Sequence, residues 1–236
     1  MDNRLTSGKL GKEKLKDALT SMRKVAIATN RDFSKSLGIE ASTAITTLKP
    51  SGTVSSLVDS APGIHARYSP YYIRRVRSDK KDPLAQVMID AGIPHEQDVM
   101  RSDSTWIFSF PTKSPKSSMF IEDFDAVEQL ETWLLYQMYW TDHKPSVTIN
   151  VKEHEWMKVG AWVYDNFDWL SGVSFLPFDD NIYEQPPYEK ITEEEYNEFL
   201  KKMPKEIDWS LLKNYENSDM TEGSQELACV AGGCVI

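Results

Sequence analysis

Apolar runs with a two-residue period take turns with stretches of helical spacing through residues 1–176, and no other feature limits the possible folds as much. Residues 13–37 bring Leu15, Leu19, Met22, Ala26 and Phe33 near helical spacing, with lysines on the other face and Gly38 as the stop. Ser42 to Leu48 is β-branched and half apolar, which predicts a buried strand. Tyr71 to Arg77 alternates and predicts a half-exposed one. Asp82-Pro83-Leu84 opens a short helix that closes at Gly92, with Asp82 as its cap and Pro83 in its first turn. Further strands are expected at 105–110, 146–151 and 173–176, and helices at 125–140 and 153–167, with a Pro/Lys/Ser loop at 111–118. Strand and helix in that order predict an α/β sheet or barrel.

From residue 177 onward the chain is rich in Pro, Tyr and acids. It holds one expected helix, 192–202, opened by the capping box of Thr192 and Glu195. Residues 216–236 read as a mobile tail. Three regions follow: 1–176, 177–215 and 216–236.

The net charge of −9 disfavours broad binding to nucleic acid or to an anionic membrane. No run approaches the ~18 apolar residues of a spanning helix. The amino terminus lacks the apolar core of a secretory signal. Two cysteines in 236 residues do not build a secreted disulfide scaffold, so a cytoplasmic protein is expected. The four histidines are scattered, and no Cys/His cluster with zinc spacing exists, so no metal site is expected. Arg74, Arg75 and Arg77 make a local basic run, expected to pair at the surface, with Arg75 facing away from the other two.

Both cysteines lie at the carboxy-terminal end, in Cys229-Val-Ala-Gly-Gly-Cys234-Val-Ile236. Gly232 and Gly233 let the backbone bend enough to bring two sulfurs together. Either a dithiol that cycles to a disulfide or two unrelated thiols fits that pattern. Lys49-Pro-Ser-Gly-Thr-Val-Ser55 lies where a strand ends and a helix is expected to start. Backbone N–H groups and hydroxyls converging there suit a phosphate group, with Gly52 allowing close approach. An ordinary capped turn is the alternative, and no Walker loop is present. His65 follows shortly after, as a candidate site-lining residue or a turn histidine.

The stretch Ala44-Ile-Thr-Thr-Leu-Lys-Pro-Ser-Gly-Thr-Val-Ser55 resembles the substrate-phosphate loop of adenosylcobalamin-dependent (class II) ribonucleotide reductases, of the ribonucleoside-triphosphate reductase type. The resemblance continues through Gly63-Ile64-His65, Tyr71 to Arg77, Asp82-Pro83-Leu84, Phe108-Ser-Phe-Pro111, Lys144 to Ile149, Gly172 to Pro177, Gln185-Pro-Pro-Tyr188 and Gly223 to Cys229. It implies the carboxy-terminal part of a ten-stranded α/β barrel over 1–176, an α+β extension over 177–215 and a flexible redox tail over 216–236. It further implies conversion of ribonucleotides to 2′-deoxyribonucleotides by a cobalamin-initiated thiyl radical. Pro50, Ser51, Gly52, Thr53, Val54 and Ser55 would hold the substrate phosphates. Cys229 and Cys234 would re-reduce the active site and be recharged by a thioredoxin-like dithiol.

The chain departs from that pattern in one respect. The radical cysteine and the active-site dithiol of the family have no counterpart, because both cysteines present belong to the tail. An amino-terminal reductase polypeptide is therefore the expected partner, with a ribonucleoside tri- or diphosphate as substrate. A non-catalytic adaptor that binds nucleotide phosphate or passes electrons through the tail is the alternative.

Overall fold

The computed structural model of the chain describes residues 2–49, 51, 54–178 and 184–216. In chain order its elements are α1 (Lys12–Leu37), the single turn α2 (Val54–Leu57), β1 (Tyr71–Asp79), α3 (Pro83–Asp90), β2 (His95–Gln97), β3 (Thr105–Lys113) and α4 (Ala126–Tyr139). There follow β4 (Thr148–Val151), α5 (Trp156–Asp165), β5 (Ser174–Pro177), β6 (Tyr188–Lys190), α6 (Glu193–Lys202) and α7 (Leu212–Tyr215). This is a mixed α/β chain. It divides into two compact units, residues 2–67 with 115–178 and residues 68–114 with 184–216. The composition suggests consecutive regions, but the second unit's strands come from both sides of residue 177.

In the first unit, β4 and β5 pair in parallel, with Thr148 opposite Ser174 and Val151 opposite Pro177. Helix α5 forms the connection between them, as a parallel pair requires. Its core joins Leu15 and Leu19 of α1, Leu130, Trp133 and Tyr136 of α4, Ile149 and Val151 of β4, and Val159 of α5. The ion pairs Lys9–Glu128, Lys12–Glu131 and Arg23–Asp142 all join residues 119 apart, so α1 and the segment containing α4 run side by side in the same direction. At that offset Tyr139, the last residue of α4, lies beside Thr20, so α1 continues to Leu37 about 26 Å past the end of α4 at 1.5 Å per residue. Beyond the end of α4, Val25, Phe33 and Leu37 of α1 are exposed.

Local chemistry sets the ends of these helices. The Asp125 carboxylate accepts the Glu128 N–H at 2.7 Å while the Glu128 carboxylate accepts the Asp125 N–H. The buried Glu155 carboxylate accepts the N–H groups of Ala126 and Lys152, tying the start of α4 to the turn before α5. Gly38 ends α1 in the left-handed region, at φ 68°.

Residues 42–48 differ from expectation. They belong to no strand among the described residues, and Ser42 to Ala44 are exposed. A β-branched run of this kind needs neighbours on both edges to bury its backbone. The two-stranded parallel pair supplies none.

In the second unit, the strand order is β2-β3-β1-β6, antiparallel throughout. Strand β3 runs to Lys113, through Pro111, rather than ending at Phe110 as the Pro/Lys/Ser composition suggested. The pleat explains this. The Ser109 N–H points toward β2 and donates to Pro94, so position 111 faces the same way, past the end of that strand, and no ladder bond is lost. Ala85, Met88, Ile93 and Phe108 form the core of this unit. Asp82 caps α3 through the Leu84 N–H.

The basic run pairs within this unit. Arg75 donates to the Pro186 carbonyl at 3.1 Å and meets the Glu189 carboxylate, and Arg77 donates to Asp98 at 2.7 Å and to the Gln185 carbonyl at 3.0 Å. Arg75 and Arg77 thus share a face. Residues two apart on a strand point the same way, so Arg74 is the one opposite. No helix among the described residues is long and apolar enough to cross a membrane.

Candidate functional site

Ser51, Val54 and Ser55 of the expected phosphate loop are described; Pro50, Gly52 and Thr53 lie outside the described residues, as do Cys229 and Cys234. Ser51 and Ser55 are drawn together by two reciprocal bonds. The Ser51 hydroxyl accepts the Ser55 N–H at 2.6 Å, and the Ser55 hydroxyl donates to the Ser51 carbonyl at 2.8 Å. These bonds tie Ser51 to the first turn of α2. Val54, Leu57 and Val58 are exposed.

Charged side chains hold both flanks of this turn, and sequence reasoning did not single out any of them. Downstream, the Arg67 guanidinium, 7% exposed, donates to the Asp59 side chain at 3.0 Å and to the Asp59 carbonyl. Its Nε donates to Asp2 at 2.8 Å. Asp2 in turn accepts the Ala61 N–H at 2.8 Å and the Ser60 hydroxyl at 3.1 Å. Burial pushes the Asp2 carboxyl up, but the Ala61 N–H and the Arg67 guanidinium outweigh it and hold the group below the usual carboxylate range. Asp59 adopts φ 48°, a left-handed position that Asp tolerates better than most residues.

Upstream, the Asp142 carboxylate accepts the Ile45 N–H at 2.9 Å and the Thr46 N–H at 3.1 Å, and pairs with Arg23. The Ile45 N–H, then Arg23 and the Thr46 N–H, hold it well below the usual range, against a smaller opposing effect of burial. Local patterning could not reveal these residues. Asp142 reads as a solvated acid after a helix, and its backbone partners lie 96 and 97 residues away.

His65 lies on the strand side of the same unit. The Thr148 N–H donates to its Nε2 at 3.0 Å, so Nε2 is the acceptor and Nδ1 carries the proton, which goes to the Pro62 carbonyl at 3.0 Å. Burial lowers its pKa against the help of the Pro62 bond, so the ring is held neutral. His65 therefore fastens the turn at 62–65 to the start of β4.

Comparison with known proteins places this geometry. The chain is 34% identical over 206 residues to an adenosylcobalamin-dependent ribonucleoside-triphosphate reductase of Euglena gracilis, covering 86% of this chain and 28% of that protein. It is 32% identical over 233 residues to a probable adenosylcobalamin-dependent ribonucleoside-triphosphate reductase of Dictyostelium discoideum, covering 96% of this chain and 30% of that one. A solved structure of a B12-dependent (class II) ribonucleotide reductase superposes with a TM-score of 0.73 at 27% identity, over 89% of this chain and 29% of that one. The chain is homologous to class II ribonucleotide reductases. It spans less than a third of the length of the relatives it matches. No protein-family model matches the chain.

A class II reductase requires a place for a corrin ring. The second unit has a cavity of ≈ 140 Å³, lined by residues that include Val87, Asp90, Ile207 and Tyr215. That is below the ~300 Å³ at which ordinary small-molecule sites begin, and its acidic rim offers nothing to such a ring. This cavity does not fit adenosylcobalamin.

Proposed function

We propose that the chain is the carboxy-terminal portion of an adenosylcobalamin-dependent ribonucleoside-triphosphate reductase, completed by an amino-terminal polypeptide into the ten-stranded barrel. The observation that carries this reading is the extent of the match: nearly the whole chain aligns with about 30% of a probable reductase's length. The outlying apolar face of α1 supports it, because that face calls for neighbours that the described residues do not supply.

In this proposal Pro50 to Ser55 bind the substrate phosphates through converging N–H and hydroxyl donors, without moving a proton. Cys229 and Cys234 act as a dithiol. They pass two electrons and two protons to an active-site disulfide supplied by the partner polypeptide and become a disulfide themselves. A thioredoxin-like dithiol then reverses that oxidation by exchange. Adenosylcobalamin, bound to the completed enzyme, supplies the radical that starts turnover.

Reconstitution tests this reading. The chain is mixed with the amino-terminal polypeptide, adenosylcobalamin, a ribonucleoside triphosphate and thioredoxin, and deoxynucleotide is followed for wild type and Cys229→Ser. Cofactor-dependent product in wild type, falling to about one turnover per enzyme in the variant, is the expected result. A well-folded complex that makes no product would instead favour the adaptor alternative.

A further inference from the structure

Residues 45–48 pair with no strand, yet they are held. The Asp142 carboxylate takes two consecutive backbone N–H groups, of Ile45 and Thr46, while the Asp142 N–H donates to the Thr46 carbonyl at 2.8 Å. The Thr46 hydroxyl, on a residue 3% exposed, donates to the Trp140 carbonyl. The Trp140 indole N–H donates to the Thr47 carbonyl at 3.3 Å, and the Ser146 N–H to the Leu48 carbonyl at 3.4 Å. One carboxylate thus anchors a segment whose far end is Ser51, and Arg23 of α1 fixes that carboxylate from behind.

The connection from this anchor to the loop is short. Thr47, Leu48, Lys49 and Pro50 separate Thr46 from Ser51. Beyond the loop, the Ser60 N–H donates to the Ser55 carbonyl at 2.8 Å, and Arg67 grips Asp59. Ser51 and Ser55 lie between two charged fixings.

We propose that Asp142 is a positioning residue for the phosphate loop, setting the place at which Ser51 and Ser55 meet the substrate phosphates. This rests on the reading of that loop as the phosphate site. Asp142 touches no substrate; it acts through residues 45–48. Bonds from backbone N–H groups to a carboxylate are roughly twice as strong as neutral ones, and the side chain is only 19% exposed, which suits an acid to this task.

The test is steady-state kinetics of the completed reductase with ATP as probe substrate, comparing wild type, Asp142→Ala, Asp142→Asn and Ser51→Ala. Misplacing a binding group by about 1 Å can cost up to ~100-fold, and with the loop chain intact an increase in KM of about tenfold is expected for Asp142→Ala, with kcat within about twofold. Asparagine keeps one oxygen for the Ile45 and Thr46 N–H groups, so Asp142→Asn should recover most of the loss. Should the alanine variant not fold, the asparagine variant decides alone, with an increase in KM of about two- to threefold expected. A raised KM in Ser51→Ala with unchanged KM in both Asp142 variants would overturn the positioning role and leave the loop reading standing. An unchanged KM in Ser51→Ala would remove the loop reading, and the positioning role with it.

Discussion

The two units of this chain solve the same problem with different success. The unit built on β1, β2, β3 and β6 closes its own bonding: β3 lies between β2 and β1, and β6 covers the other edge of β1. Its basic strand finds acids and carbonyls within the unit, and the buried Asp98 carboxylate accepts the Met100 and Arg101 N–H groups as well as Arg77. The unit containing α1, β4 and β5 does not close. Parallel strands are ordinarily covered on both faces within a larger sheet, and only two are present among the described residues. Exposed apolar side chains extend along α1 past the end of α4, and Met157, Tyr164 and Phe167 lie open in and after α5. A self-sufficient piece and an unfinished one share a chain, and the expected phosphate loop belongs to the unfinished one.

Charging the outlying face of α1 should break that contrast most severely. Phe33 is 64% exposed, and burying a phenylalanine is worth roughly 1.5–3 kcal/mol. Phe33→Glu should weaken association with the amino-terminal polypeptide by at least about tenfold while leaving the chain's own unfolding midpoint within about 2 °C, since an exposed helix position costs at most ~0.5 kcal/mol. Analytical ultracentrifugation of the mixture and thermal melts of the chain alone would show both.

Core truncations sharpen the comparison next. Trp133 is fully buried in the first unit and donates to the Pro145 carbonyl, and Phe108 is fully buried in the second. Each change to alanine should cost about 3–5 kcal/mol. Residue-level hydrogen exchange should then lose protection mainly among residues 126–151 for Trp133→Ala, and mainly among residues 71–113 for Phe108→Ala. Equal losses everywhere in both variants would mean that the two units do not differ in the way described.

The smallest expected effect concerns His65. Burial sets its folded pKa below the ordinary 6.5, so the unfolded chain binds more protons as pH falls past that value. Its contribution to stability is present above about 6.5 and is lost as pH drops toward the lowered folded value. Urea unfolding of wild type should weaken between pH 7.5 and 5.5. The difference between wild type and His65→Gln, which has no ring to protonate, should shrink over the same interval.

Much of this architecture could be read along the chain. Helix starts were legible where a cap and an apolar stripe coincide, as at Asp82, Asp125 and Thr192, because those signals act within four residues. Strands β1, β3, β4 and β5 followed from β-branched and aromatic runs. Residues 42–48 carry the same pattern and form no ladder, since pairing depends on a neighbour that composition cannot supply. The site was half legible. Ser51 and Ser55 sit in one recognisable stretch and do meet, whereas Asp142 and Asp2 reach backbone N–H groups 59 to 97 residues away, Arg67 reaches Asp2 across 65, and all three look individually like surface charges. His65 stood out as a residue but not in its bond to Thr148, which arises only once β4 is in place.

The most direct test of the account is hydrogen exchange of the chain alone and then mixed with the amino-terminal polypeptide proposed to complete it. New protection concentrated at residues 22–48, with little change across residues 71–113, is the predicted result. No change at 22–48, or gains spread equally over both units, would contradict the claim that the first unit is the part the rest of the reductase completes.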